Sequence, residues 1–281
     1  MTLSKNQFLQ NPDVQSFAQY LADLYLGRVQ FSHTYYDRKR DQSVRFGSFS
    51  QAKEHYYWKT LGFDETKREL LQFTDRLASS RSTLDYRQVV YEIFVWGGVP
   101  KCFEWIKRQE SVDPDFDIKA NIEEAMEVLT SNSPDLQSFH EGRFRMDSGF
   151  TKVYTLLTGN LIIFDGRVGA ALGHLALTWA EFGQCRRIPR ELQFPWKPGR
   201  QTQAPANRNP SLFSEAYNFP QCRIGKHHAI WKLRASWLIE CAVEKVGLEH
   251  FGDCRIEGGR AFEAALFMIG YDFPIQAHYA A

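Results

Sequence analysis

Apolar residues in this chain recur three and four positions apart over most of its length, and the segments with that period are bounded by capping and breaking residues. Val14, Phe17, Leu21, Leu24 and Tyr25 follow Asn11-Pro12-Asp13 and stop before Gly27. Leu70, Leu71, Phe73 and Leu77 follow Asp64. Val89, Val90, Ile93, Phe94 and Trp96 follow Ser82 or Thr83 and end at Gly97-Gly98. Such spacing lays one apolar stripe along a helix and cannot lie on one face of a strand, where alternate side chains point to opposite sides. A polar residue able to accept from the free N–H groups of the first turn precedes each stripe. A helix is expected from Ser48 or Ser50 to about Leu61, and another continuing from Pro100 through Phe103 and Ile106. Ile118, Ile122, Ala125, Met126 and Leu129 follow the turn Asp113-Pro114-Asp115. Ser131, Asn132, Ser133, Pro134 and Asp135 end that helix and cap a short one. Helices over 229–246 and 257–269 close the chain. The pattern predicts an all-α or mostly α chain of roughly ten helices.

Two stretches lack the period. Residues 28–47 mix Arg, Lys and Tyr and read as a loop or short hairpin whose cations could follow a phosphate backbone or simply be solvated. The segment 185–222 carries Pro189, Pro195, Pro198, Pro205, Pro210 and Pro220 among Arg186, Arg187, Arg190, Lys197, Arg200 and Arg208. A long irregular segment in a compact protein is usually functional or else mobile. No clean linker divides residues 1–281, which favours one compact helical unit. Two lobes of about 1–140 and 141–281 with a cleft between them are the alternative.

With 43 % hydrophobic and 15 % aromatic residues among 281, the chain can bury a large core. Its net charge of +1 gives no global attraction to nucleic acid, so such binding needs a local patch. The five cysteines form no C-x-x-C pair, which suits reduced thiols and a cytoplasmic setting. The polar start lacks a signal-peptide core, and no apolar run reaches membrane length. No metal is expected: His227 and His228 are adjacent, so on a helix they point apart, and no Cys/His ligand spacing appears. No nucleotide-cofactor fingerprint is present, and no protein partner can be identified.

Chemistry concentrates in residues 143–179. The turn Asp147-Ser148-Gly149 precedes an apolar run from Lys152. A second run over 161–164 stops at Asp165-Gly166, and Val168, Ala171, Leu172, Leu175 and Trp179 then follow at helical spacing. Lys152 and Asp165 stand at the edges of an apolar block, where an amine can become less basic and a carboxylate can be held beside a reacting centre. The plain alternatives are a surface lysine and a helix N-cap aspartate, the latter stabilising by about 1 kcal/mol.

This block resembles the helix-hairpin-helix DNA glycosylases, the superfamily of 8-oxoguanine and adenine-mismatch glycosylases. Met146-Asp147-Ser148-Gly149-Phe150-Thr151-Lys152 corresponds to the family's hairpin, with Asp147 where the family usually carries proline and one glycine where it usually carries two. Ile162-Ile163-Phe164-Asp165-Gly166-Arg167-Val168 corresponds to its aspartate segment. The resemblance implies a glycosylase-like helical fold with a cleft, Lys152 as nucleophile and Asp165 as catalytic carboxylate. It implies base excision from DNA, by hydrolysis or with Schiff-base lyase chemistry. It also implies that the N–H groups around Ser148, Gly149, Phe150 and Thr151 grip a phosphate. Arg167, Arg186, Arg187 and Arg190 could add phosphate contacts. Phe31, Tyr35, Tyr36, Phe144, Trp196 and Tyr217 are candidate walls for a flipped base, although most aromatics are plain core. An oxidised purine and a phage-modified base removed in defence are both open as substrates. A helical nucleic-acid binder without chemistry and a protein-interaction scaffold are the competing readings.

Overall fold

The computed structural model describes residues 4–183, 187–199, 206–214 and 217–273. Its elements in order are α1 (Lys5–Leu9), α2 (Pro12–Tyr25), β1 (His33–Asp37), β2 (Gln42–Phe46), α3 (Phe49–Glu54), α4 (Phe63–Ser79), α5 (Thr83–Trp96), α6 (Phe103–Val112), α7 (Ile118–Thr130), α8 (Gln137–Glu141), α9 (Phe150–Thr158), α10 (Gly166–Phe182), α11 (Lys226–Val246) and α12 (Arg255–Ile269), with short 3-10 turns between some of them. The protein is mostly helical. Among the described residues the only sheet is the antiparallel hairpin β1–β2, which pairs His33 with Phe46 and Asp37 with Gln42. Among them, no helix is long and apolar enough to cross a membrane.

Helix starts follow capping chemistry. Asn11, Ser48, Ser82 and Asp117 each accept from N–H groups two or three residues on. Some boundaries differ from expectation. The helix after Ser48 stops at Glu54 rather than running to Leu61, because Lys59 takes a left-handed backbone (φ 58°) and Trp58 and Leu61 bond each other instead. α11 and α12 begin a few residues earlier than their apolar stripes.

The chain divides into two compact units that interleave along the sequence. One comprises residues 1–8, 64–164 and 223–237, and the other residues 9–63, 165–222 and 238–281. In the first, Phe150 is fully buried against Phe94 and Trp105, with ring centroids 5.2 and 5.3 Å away. Full burial of such a side chain stabilises by about 2–3 kcal/mol. Tyr154, Phe139 and Phe144 extend the same cluster. In the second unit Tyr25, Phe49 and Phe262 pack together. There Asp37 is wholly buried at the hairpin, accepting from the Tyr57 and Tyr271 hydroxyls and from the N–H groups of Lys39 and Arg40. Burial works to raise the Asp37 carboxyl, and these donors outweigh it and hold it low.

Several candidates for nucleic-acid contact have partners within the chain, although Tyr36 is exposed. Tyr35 and Phe144 are core rather than base-pocket walls, at 1 % and 3 % exposure. Tyr36 donates to Asp41, and Trp196 donates to the Phe219 carbonyl. Arg38 pairs with Asp272 at 2.7 Å, and Arg40 lies over the Tyr57 ring.

Candidate functional site

The sequence block around Lys152 and Asp165 spans the point where the chain passes from the first unit to the second, and its two halves have distinct surroundings.

In the first unit α9 starts at Phe150, and Asp147 organises that start. One carboxylate oxygen accepts from Gly149 N (2.9 Å) and Phe150 N (3.2 Å), the other from Arg145 Nε (2.8 Å), and the Asp147 carbonyl accepts from Thr151 N (3.0 Å). Burial acts to raise the Asp147 carboxyl, but the Arg145 guanidinium and the two N–H groups hold it below the usual range. This corrects the expected phosphate grip. The N–H groups of Gly149, Phe150 and Thr151 are already satisfied within the chain, and a carboxylate sits where the phosphate would go. All three residues are buried, and a Cβ on Gly149 would stand 2.8 Å from the Phe94 ring. Only Ser148 is partly exposed. The aspartate in place of proline is the cause: it brings its own anion to the helix start.

Lys152 is one turn into α9 and only 6 % exposed, so it is not a surface lysine. Its Nζ donates to the Ser148 carbonyl at 2.6 Å. Its stem passes over Gly97, where a Cβ would stand 2.6 Å from both Cδ and Cε. Gly97, legible in sequence as a helix breaker, therefore also makes room for the lysine. The nearby Cys102 thiol is pushed up to about 12 by burial and then by Asp147, which keeps it protonated and unreactive at neutral pH.

A ladder of polar side chains on α11 holds the extended segment that leads to Asp165. His228, Lys232 and Ser236 sit four residues apart and so share one face. His228 Nε2 donates to the Phe164 carbonyl (2.7 Å), and Ser236 Oγ accepts from Ile162 N (3.1 Å). Lys232 is fully buried. Its Nζ donates to the Ile162 carbonyl (2.8 Å), Thr155 Oγ1 (2.6 Å) and the Thr151 carbonyl (3.0 Å), with Thr151 Oγ1 at 3.3 Å. Thr151 Oγ1 in turn accepts from Phe164 N at 3.1 Å. The ladder thus ties α9, residues 162–164 and α11 together. Sequence reading missed it because apolar periodicity passes over a buried lysine and treats threonines as neutral. His228, Lys232 and Ser236 at four-residue spacing in α11 were the available signal.

In the second unit Asp165 caps α10, its Oδ1 accepting from Arg167 N (2.8 Å) and Val168 N (3.1 Å). The first turn of α10 is tightly set. A Cβ on Gly166 would stand 2.7 Å from Lys197 Cβ, and one on Gly270 would stand 1.9 Å from the Arg167 carbonyl oxygen. The half-buried Arg167 guanidinium lies over Phe267 (4.1 Å to the centroid), Tyr271 (4.5 Å) and Trp58 (5.9 Å). Burial lowers its pKa, with Asp165 and Tyr271 opposing. Cys222 is pushed up to about 11 by burial, while Lys197 and Asp165 act on it in opposite senses.

Arg187 and Arg190 are exposed, and Arg186 lies outside the described residues, as does Cys185. Cys102, Cys222, Cys241 and Cys254 are free thiols. Among the described residues no group of three or more His, Cys, Asp or Glu could hold a metal ion. No family model, curated protein or solved structure matches the chain.

Proposed function

We propose that the protein is a base-excising DNA glycosylase in which Lys152 is the nucleophile and Asp165 the catalytic carboxylate. The observation that carries the reading is an amine withdrawn from bulk water at the start of α9, followed after a clamped extended segment by a carboxylate at the first turn of α10. The resemblance of residues 146–152 and 162–168 to the glycosylase motifs assigns the roles.

Breaking the bond between base and sugar puts positive charge on the sugar ring, and a fixed carboxylate stabilises that charge. A neutral amine can then add to C1′ as the C1′–N bond breaks. The base leaves with the bonding electrons and takes up a proton, and loss of the sugar-ring C–O bond gives a Schiff base. Ordinary lysine has a pKa of about 10.4, so the attacking amine must be made less basic, which burial and cationic neighbours do. The target base has to leave the duplex to be reached. Oxidised purine and phage-modified bases are the two substrate classes to test. Arg167, Arg187 and Arg190 are the proposed phosphate contacts.

Oligonucleotides carrying assorted modified bases should lose base in the presence of the protein, and borohydride should cross-link it to the strand. Lys152→Gln should abolish the cross-link, and Asp165→Asn should slow base release by at least about tenfold, roughly 1.4 kcal/mol of barrier. A confirmed substrate processed equally by both variants removes these residues from the chemistry. A nucleic-acid binder without catalysis is the second reading. It is favoured by the Asp165 oxygen already engaged by two helix-capping N–H groups.

A further inference from the structure

The second unit holds two arginines that make no ion pair with its acids among the described residues, although Asp165 acts on both at longer range. Arg167 makes no hydrogen bond or ion pair through its guanidinium among the described residues, and rests on aromatic faces. Its backbone cannot drift, because the close approach of Gly270 fixes the first turn of α10. Arg208 donates from Nε to the Tyr271 carbonyl at 3.3 Å, and its terminal nitrogens make no other hydrogen bond or ion pair among the described residues. The two side chains therefore meet at one residue, Arg167 on the Tyr271 ring and Arg208 on the Tyr271 carbonyl.

The acids that might serve them are committed elsewhere. Asp272 holds Arg38 at 2.7 Å and accepts from Asn207 N at 2.6 Å. Asp37 is enclosed by tyrosine hydroxyls and backbone N–H groups. Asp165 uses Oδ1 on the cap and acts on the two arginines only through its charge, with no hydrogen bond or ion pair to either among the described residues. Burial, and then the Arg167 charge, push the pKa of Arg208 down to about 10, against the opposing charges of Asp165 and Asp272. Half-buried cations without an acid are costly unless an anion joins them. The terminal N–H groups of both guanidinia are unused among the described residues, and a planar guanidinium fork matches a phosphate oxygen pair better than an ammonium does.

We infer that Arg167 and Arg208 form a clamp for a phosphate group. If the base-excision reading holds, the phosphate is a strand phosphodiester beside the target nucleotide. The clamp itself does not depend on that reading, because a free phosphate compound offers the same oxygens.

Two measurements separate these cases. Fluorescence anisotropy with labelled, unmodified duplex and single-stranded oligonucleotides is followed from low to moderate salt for the wild type, Arg208→Gln and Arg208→Lys. Thermal stability is measured with and without inorganic pyrophosphate for the same three proteins. For a strand phosphate, Arg208→Gln should weaken binding about tenfold and reduce the salt slope by about one, with partial recovery in Arg208→Lys. If no oligonucleotide binds, but pyrophosphate stabilises the wild type and not Arg208→Gln, the clamp stands as a site for free phosphate compounds and base excision falls. Should Arg208→Gln fail to fold, Arg208→Lys is decisive, since it keeps the charge and loses the fork: weaker binding with an intact slope supports the clamp. Binding and stabilisation unchanged in the variants, or absent from the wild type in both assays, overturn it.

Discussion

Replacing Thr155 by valine tests the polar ladder with little change in shape, since a methyl takes the place of the hydroxyl and both residues are β-branched. The side chain is fully buried, accepts from Lys232 Nζ at 2.6 Å and donates to the Thr151 carbonyl at 2.8 Å. The Thr151 carbonyl keeps Lys232 as a donor, so the main loss is one hydrogen bond to a charged group, worth about 1.5–3 kcal/mol. Lys232 has nowhere to turn, because it is sealed from water. The expected cost is about 2 kcal/mol, which lowers the melting temperature by about 4–8 °C in a chain of this size. Thr155→Ser keeps the hydroxyl and drops a methyl, and should cost about 1 kcal/mol. Thermal unfolding at pH 7 should rank wild type above serine above valine. Hydrogen exchange at the Ile162 and Phe164 amides should quicken in the valine variant, because both amides bond partners within the ladder. Valine as stable as serine would mean that the hydroxyl does not support the buried amine, and the clamp on residues 162–164 would lose its basis.

Two further outcomes follow from the second unit. His33 is held at about 4 and His174 at about 3, in each case first by burial, with His33 also acting on His174. Both are lowered from about 6.5, so the unfolded chain binds more protons than the folded one below that value. Their contribution is intact above pH 6.5 and is lost as pH falls toward 4, by about 2 kcal/mol for each imidazole at pH 5. Urea titrations at pH 7 and pH 5 should show this loss, and His174→Leu should remove about half of it; an unchanged difference would refute the assignment. Gly270→Ala, at an ordinary φ of −82°, should still cost about 3 kcal/mol or more, because its Cβ meets the Arg167 carbonyl at 1.9 Å and backbone cannot step aside. Denaturant unfolding matching the wild type would show that α10 and α12 separate freely.

Local chemistry made much of the architecture readable from sequence. Asn11, Ser48, Ser82 and Asp165 cap helices because a short side chain with an acceptor needs only its own backbone to act. Apolar stripes of helical period marked the faces of α2, α4, α5 and α7 for the same reason. What depends on residues far apart in the chain was not legible. Asp147 is different: it acts on N–H groups only two to four residues on, as local as the other caps, and the family resemblance pointed to a phosphate there instead. Local sequence does not say that Gly97 leaves room for Lys152, or that Lys232 is buried eighty-one positions from Thr151. The pairing of Arg167 with Arg208 at Tyr271 is likewise set by packing of α10 against α12. Sequence alone determined which segments are helical and what chemistry several of their ends could carry. Tertiary structure decided which polar groups are already spent and which remain to act, because burial and hydrogen-bond satisfaction are properties of the surroundings rather than of the residue.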